Sequence, residues 1–264
     1  LLWRGMHYGS YKSERHRNKI IHVNANHWSV HENHAKKVLG PLERAGANVT
    51  VFACSHHSDV AADWLKNAGV SRSDIVLKDH KKQILPNELL RRAYALVERY
   101  DWDVLLSLRA DIVLKRDVVD LMRRDATAGS AASPTLWLPF HEVYIGQDHH
   151  CTYKERRLSE KCLAPWRKHG MRFSDAVLVM PRPMLGDVKY ALEQLISHHV
   201  WDQHTLALHL FKGRGYDVGR NVSALLDGFW DSNVDKHANP LFSLARGKAY
   251  LSKLQHLEDK GPGD

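Results

Sequence analysis

The tripeptide Arg109-Ala110-Asp111 is the part of this chain best placed to do chemistry. It follows the apolar run Val104–Leu108, which reads as a buried strand, so both side chains are delivered to that strand's carboxyl end. In open α/β sheets ligands bind at that edge. A carboxylate there can hold Mg2+ or Mn2+ and so neutralise a diphosphate, while a neighbouring guanidinium pairs with phosphate or a base. The plain alternative for Asp111 is a strand-end cap or turn residue. Asp175 precedes a second apolar run, Ala176–Met180, and Asp202 lies in Trp201-Asp202-Gln203-His204 at a helix break. Either carboxylate could take a proton from a hydroxyl; for Asp175 the alternative is a structural strand cap.

Other groupings fail on spacing. Asp101-Trp102-Asp103 is a formal Asp-x-Asp, but it sits at the amino end of its strand and faces away from the ligand edge. His31-Glu32-Asn33-His34 is one residue short of HExxH, and a polar, solvated helix face accounts for it. His149, His150 and His209 could complete a metal shell, but each taken singly reads as an ordinary polar residue. GxGxxG after the first strand, GxxxxGK[ST] and GxSxG are all absent. Three cysteines exclude a disulfide framework, although a Cys151–Cys162 bridge is sterically possible.

The elements that must position these residues alternate in the first part of the chain. Strands are expected at Lys19–Asn24, Asn48–Cys54, Asp74–Leu77 and Asp103–Leu108. Helices are expected at His31–Arg44 (interrupted near Gly40-Pro41), Val60–Asn67 and Glu88–Arg99, the last started by Pro86. This alternation predicts an α/β, doubly wound, mostly parallel sheet. Further on, strands are expected at Thr135–Leu138, Ala176–Met180 and Asp217–Arg220, and helix over Leu185–Leu210 with a break near His198–Trp201. With no linker or repeat, the expectation is a single domain whose C-terminal half is irregular.

Composition sets the outer limits. The chain has 264 residues, 44% hydrophobic and 26% charged, which rules out a disordered or fibrous protein. Its 38 Lys+Arg against 30 Asp+Glu give a net charge of +8, which predicts an anionic partner without choosing among nucleic acid, phospholipid and phosphorylated metabolites. The basic residues are scattered and form no stripe with interleaved aromatics, so a nucleic-acid reading rests on charge alone. No apolar stretch is long enough to span a bilayer. Leu1-Leu2-Trp3 reads as the stub of something removed, and sequons lie at Asn48 and Asn221.

The segment Tyr100–Asp117, with Arg-x-Asp after an apolar strand, resembles GT-A-type nucleotide-sugar glycosyltransferases. It is similar, more narrowly, to small algal, viral and fungal members in which the Asp stands where others carry the second acid of Asp-x-Asp. Phe173–Arg182 is similar to an acceptor-side strand of such enzymes, and the likeness extends over roughly residues 19–245. The resemblance implies a GT-A-like, Rossmann-like fold, with about 19–125 binding nucleotide, about 126–245 binding acceptor, and 246–264 a tail. It implies a UDP- or GDP-sugar donor, a glycan or glycoconjugate acceptor, Mn2+ or Mg2+ on Asp111, and no nucleic-acid partner. Asn24, Asn26, His27, Lys78, His80, Arg109 and Asp111 would bind the nucleotide sugar, and Asp175 or Asp202 would be the base of an inverting transfer. With Arg109 in place of an acid, metal binding weakens, or the guanidinium itself supplies part of the cation's charge. Trp137, Trp166, Trp201 and Trp230 could stack on sugars, though Trp more often serves the core. The lumen of the Golgi or secretory pathway, with an anchor outside this chain, is the expected location, and the cytoplasm is the alternative. Two other functions compete: a non-catalytic glycan- or nucleotide-binding protein on the same scaffold, and a basic nucleic-acid-binding α/β domain.

Overall fold

Apolar runs of three to six residues cannot bury themselves alone and must pair side by side. The computed structural model describes residues 1–4, 8–13, 19–24, 27–56, 72–76, 86–120, 134–143, 164, 166–168, 170–200, 203–217, 220–225, 229–231 and 241–244. In chain order the strands are β1 (Leu2–Arg4), β2 (Tyr8–Ser13), β3 (Lys19–Asn24), β4 (Phe52–His56), β5 (Arg72–Val76), β6 (Val104–Arg109), β7 (Ile112–Leu114), β8 (Leu136–Leu138), β9 (His141–Val143), β10 (Val177–Pro181), β11 (Val222–Ala224), β12 (Phe229–Asp231) and β13 (Phe242–Leu244). Seven of them form the main sheet, in the spatial order β11-β8-β10-β6-β1-β4-β5. β5, β4, β1 and β6 run parallel, and β11 is parallel to β8. β10 runs against both of its neighbours, β6 and β8.

Alternation along each strand fills two cores. Leu2, Phe52, Leu105, Leu178 and Met180 face one layer, with the helices Pro86–Val97, Leu185–Ser197 and Leu206–Arg214. Trp3, Ala53, Leu106, Leu108, Val177 and Val179 face the other, with Val38, Ile112, Leu114 and Phe242. The sheet is therefore covered on both sides, which is why its central strands are apolar throughout. The expected α/β, mostly parallel sheet flanked by helices is the observed architecture.

Several expectations are corrected in detail. Lys19–Asn24 is a strand, but it pairs antiparallel with β2 outside the main sheet. The central place next to β6 belongs to β1, made of the residues read as a stub. The main sheet thus begins upstream of residue 19. Gly40-Pro41 does not interrupt its helix; the coil widens instead to a π turn over Ala35–Leu39, and Gly40 N–H bonds back to Ala35. Proline lacks an N–H and its ring crowds the carbonyl a turn earlier, and a wider turn relieves both problems. Asn48 lies exposed ahead of β4 rather than opening it. Asp217 heads a turn, its carbonyl accepting from the amides of Arg220, Asn221 and Val222, and the strand follows at β11. The helix Val60–Asn67 lies outside the described residues.

The His31–His34 segment is structural rather than a solvated face. The Asn33 amide donates to the Leu114 carbonyl at 2.8 Å and accepts from the Leu114 N–H at 2.7 Å, completing one edge of β7 as another strand would. His34 is buried, sits 5.9 Å from the Trp3 ring, and donates from Nε2 to the Ile112 carbonyl at 3.0 Å. Burial lowers its pKa to about 4, against the opposing pull of that carbonyl.

The folded protein therefore keeps His34 neutral where the unfolded chain would protonate it near pH 6.5. The stability tied to this residue is present above that pH and is lost as pH falls toward 4. Urea unfolding at pH 7 and pH 5 should show a loss of about 2 kcal/mol from this group, and the pH-dependent drop should shrink by about that amount in His34→Gln.

Candidate active site at the carboxyl edge of the sheet

Strand order reverses between β1 and β6: β4 and β5 continue on one side, and β6 opens the other. Such a switch point leaves a crevice at the strands' carboxyl ends. Arg4 and Arg109, the last residues of β1 and β6, stand in register there. Because β10 is antiparallel, its amino end lies at the same edge, with Val177 opposite Leu108 and Asp175 just beyond. Backbone bonds lock these ends together: Ala110 N–H to the Arg4 carbonyl at 2.8 Å, and Arg109 N–H to the Ala176 carbonyl at 3.1 Å.

Four charged side chains meet on this frame. Arg109 grips Asp111 with a two-pronged fork, Nε to Oδ1 at 3.0 Å and Nη2 to Oδ2 at 2.9 Å. Its third nitrogen, Nη1, donates to Asp175 Oδ1 at 3.2 Å. Arg4 donates from Nε to the Ser107 hydroxyl at 2.9 Å and from Nη2 to the backbone carbonyl of Asp175. Exposure rises outward, from Asp111 at 3% to Asp175 at 14% and Arg109 at 22%. The most exposed of these groups is the guanidinium.

The electrostatics follow. Burial works against the charge of Arg109, but Asp111 and Asp175 outweigh it and hold the proton more firmly than water would. Burial would also raise the pKa of Asp175. Arg109, then His204 and Arg4, outweigh it and keep its carboxyl well below the usual carboxylate range. Burial lowers the pKa of Arg4, with Asp175 opposing.

A second cluster adjoins the first through the chain segment leading to Asp175. Glu142, 3% exposed, accepts at Oε2 from Arg172 Nη2 at 2.9 Å and lies 2.8 Å from His204 Nδ1. That nitrogen is also 2.7 Å from the Phe173 carbonyl, so it carries the hydrogen. Trp166 packs edge-on against His141 and Phe173 and donates to the Arg172 carbonyl at 2.6 Å, which makes it a core residue.

Of the residues singled out from sequence, Arg109, Asp111 and Asp175 are brought together. Asn24 ends β3 opposite Tyr8 in the outlying ribbon, and His27 opens the helix His27–His34. Asn26, Lys78, His80, Asp202, Trp201, His149, His150, Cys151 and Cys162 lie outside the described residues, as do the side chains of Asn24, His27 and Trp230. His209 faces the His198 ring at 5.9 Å. Asp101 is fully exposed and paired with Arg182 at 2.9 Å, at the amino end of β6. Sequence reasoning missed Arg4, Glu142, Arg172 and His204. A cation ending the apolar Leu1-Leu2-Trp3 was the available signal for Arg4; for the others there was none.

The described residues do not fit a divalent metal on Asp111. Both of its oxygens already accept from Arg109, and no three His, Cys, Asp or Glu side chains converge among the described residues. Two carboxylates and two guanidinia leave the cluster neutral, whereas Mg2+ and Mn2+ sites rest on carboxylate charge.

No family model matches the sequence, and no curated protein matches it. Solved structures do resemble the fold. A nucleoside-diphosphate-sugar pyrophosphorylase from Vibrio cholerae RC9 aligns with a TM-score of 0.51 and 10% identity, over 97% of this chain and 100% of its own. A CMP:2-keto-3-deoxy-manno-octonic acid synthetase complexed with CTP aligns with a TM-score of 0.48 and 13% identity, over 98% of each chain. At such identity the likeness is one of fold: the chain has a GT-A-like, Rossmann-like sheet.

Removing one partner of a buried ion pair strands the other charge. Arg109→Ala should therefore lower stability by about 3 kcal/mol, and Arg109→Ala with Asp111→Ala by less than the two single losses added together. A double-mutant cycle by urea denaturation checks this, and additive losses would contradict the coupling.

Proposed function

We propose that the protein is a nucleotide-sugar-dependent glycosyltransferase that moves a sugar from a UDP- or GDP-sugar to a hydroxyl of a glycan or glycoconjugate, with inversion. The observation that carries this reading is the Arg4–Arg109–Asp111–Asp175 cluster at the point where strand order reverses. Departure of a nucleoside diphosphate develops negative charge, and a guanidinium fixed in advance stabilises it without having to reorganise. The fold likeness to a protein named as a nucleoside-diphosphate-sugar pyrophosphorylase supports nucleotide-sugar chemistry in general.

The roles within the site follow from its electrostatics. A carboxylate held as low as that of Asp175 is a weak proton acceptor at neutral pH. In this reading Asp175 therefore orients Arg109 on the donor side. The acceptor's proton falls to the segment Asp202-Gln203-His204, where Glu142 fixes the His204 imidazole through Nδ1. Asn24, Asn26, His27, Lys78 and His80 remain the proposed contacts to base and ribose.

A thermal-shift panel of nucleoside diphosphates and their sugars should show stabilisation by UDP or GDP, and incubation with the matching sugar nucleotide should release free diphosphate. Binding without turnover would favour a non-catalytic binding protein on the same scaffold. Release of pyrophosphate from a nucleoside triphosphate and a sugar phosphate would redirect the assignment to nucleotidyl transfer. His204→Gln should cut kcat by about 10²- to 10⁴-fold while leaving nucleotide affinity unchanged.

A further inference from the structure

We infer that this site neutralises the donor's diphosphate with the Arg109 guanidinium and needs no divalent metal to bind it. The inference rests on the nucleotide-sugar reading above and concerns how that same site works.

Three features of the cluster carry it. The first is which groups are already occupied. A metal ion approaching Asp111 would meet two oxygens that each hold a hydrogen bond from Arg109, at 3.0 and 2.9 Å, on a carboxylate only 3% exposed. To reach them it would have to displace a guanidinium anchored at all three of its nitrogens. The second is the charge sum. Arg4 and Arg109 against Asp111 and Asp175 come to zero, so the described groups present no net negative charge to attract a dication. The second guanidinium in that sum, Arg4, stands in register with Arg109 on the neighbouring strand and is what brings the cluster to neutrality.

The third feature is what Arg109 has left to give. A guanidinium carries five N–H donors, and three are spent on Asp111 and Asp175. Two remain on the nitrogens of the most exposed member of the cluster. Two donors in one plane suit two phosphate oxygens. The carboxylates then have a mechanical purpose: they hold the guanidinium plane still, so that little side-chain entropy is lost when phosphate arrives. A lysine at this position would keep the charge but could not be held by two carboxylates and still present a planar pair of donors.

The test is calorimetric titration of the intact protein with UDP, GDP, uridine and guanosine, in EDTA and again in Mn2+. The diphosphate should bind in EDTA within about threefold of its affinity in Mn2+, and more tightly than the nucleoside. Arg109→Lys should lose about tenfold or more of the diphosphate affinity in EDTA while leaving nucleoside affinity unchanged. Arg109→Gln should lose more; because it strands Asp111, its fold is checked by near-UV dichroism, and the lysine variant decides the matter if it misfolds. Diphosphate binding seen only with Mn2+ would overturn the inference while leaving the nucleotide-sugar reading intact. Metal-free binding that Arg109→Lys does not change would also overturn it, by removing Arg109 from the contact. Failure of every nucleotide in both buffers would overturn the nucleotide-sugar reading and this inference with it.

Discussion

One guanidinium held by two carboxylates ties the edge of this molecule together. Arg109 ends β6, Asp111 sits in the turn that follows, and Asp175 comes from the approach to β10. Arg109 and Asp111 alone could be paired by local structure. All three require β10 to lie beside β6 in reverse, since only then does its amino end reach the edge where parallel strands finish. The antiparallel strand in an otherwise parallel neighbourhood is thus what makes the site geometrically possible. Arg4 extends the same arrangement one strand further by bonding to the backbone of Asp175 and to Ser107.

Around this centre polar groups replace strand neighbours that the sheet does not supply. Asn33 pairs with the backbone of Leu114 as a strand would, and His34 caps Ile112, so the turn carrying Asp111 is gripped from the helix side. On the other flank, Glu142 gathers Arg172 and His204 next to the segment that leads to Asp175. Buried polar networks of this kind fix one geometry, because each unmade bond is costly away from water.

Much of this was legible in the sequence, and the limits have physical causes. Arg109, Asp111 and Asp175 were readable because an apolar run followed by charge marks a strand's end. The Asp101-Trp102-Asp103 pair could be set aside because it lies at the opposite end of the same strand. Arg4 escaped because a strand of three residues has too little length for periodicity to register. Lys19–Asn24 reads as a strand but was counted in the main sheet, since strand propensity carries no information about which neighbour accepts its hydrogen bonds. The direction of β10 was equally invisible, because alternation reads the same forwards and backwards. Glu142 and His204 meet only through tertiary folding, and nothing in their spacing predicts it.

The 66-position separation of Arg109 from Asp175 also bears on how the molecule comes into being. Contacts so distant along a chain must overcome the entropy of closing a long loop before they contribute anything, so they form late. The parallel strands on the β4 side assemble from nearer segments, whereas the charged edge waits for β10 to dock. Until it does, Arg109 has only its close neighbour Asp111 to bind. During synthesis the charged edge is therefore a sign of completion: it exists only once the second half of the chain has arrived and turned back on the first.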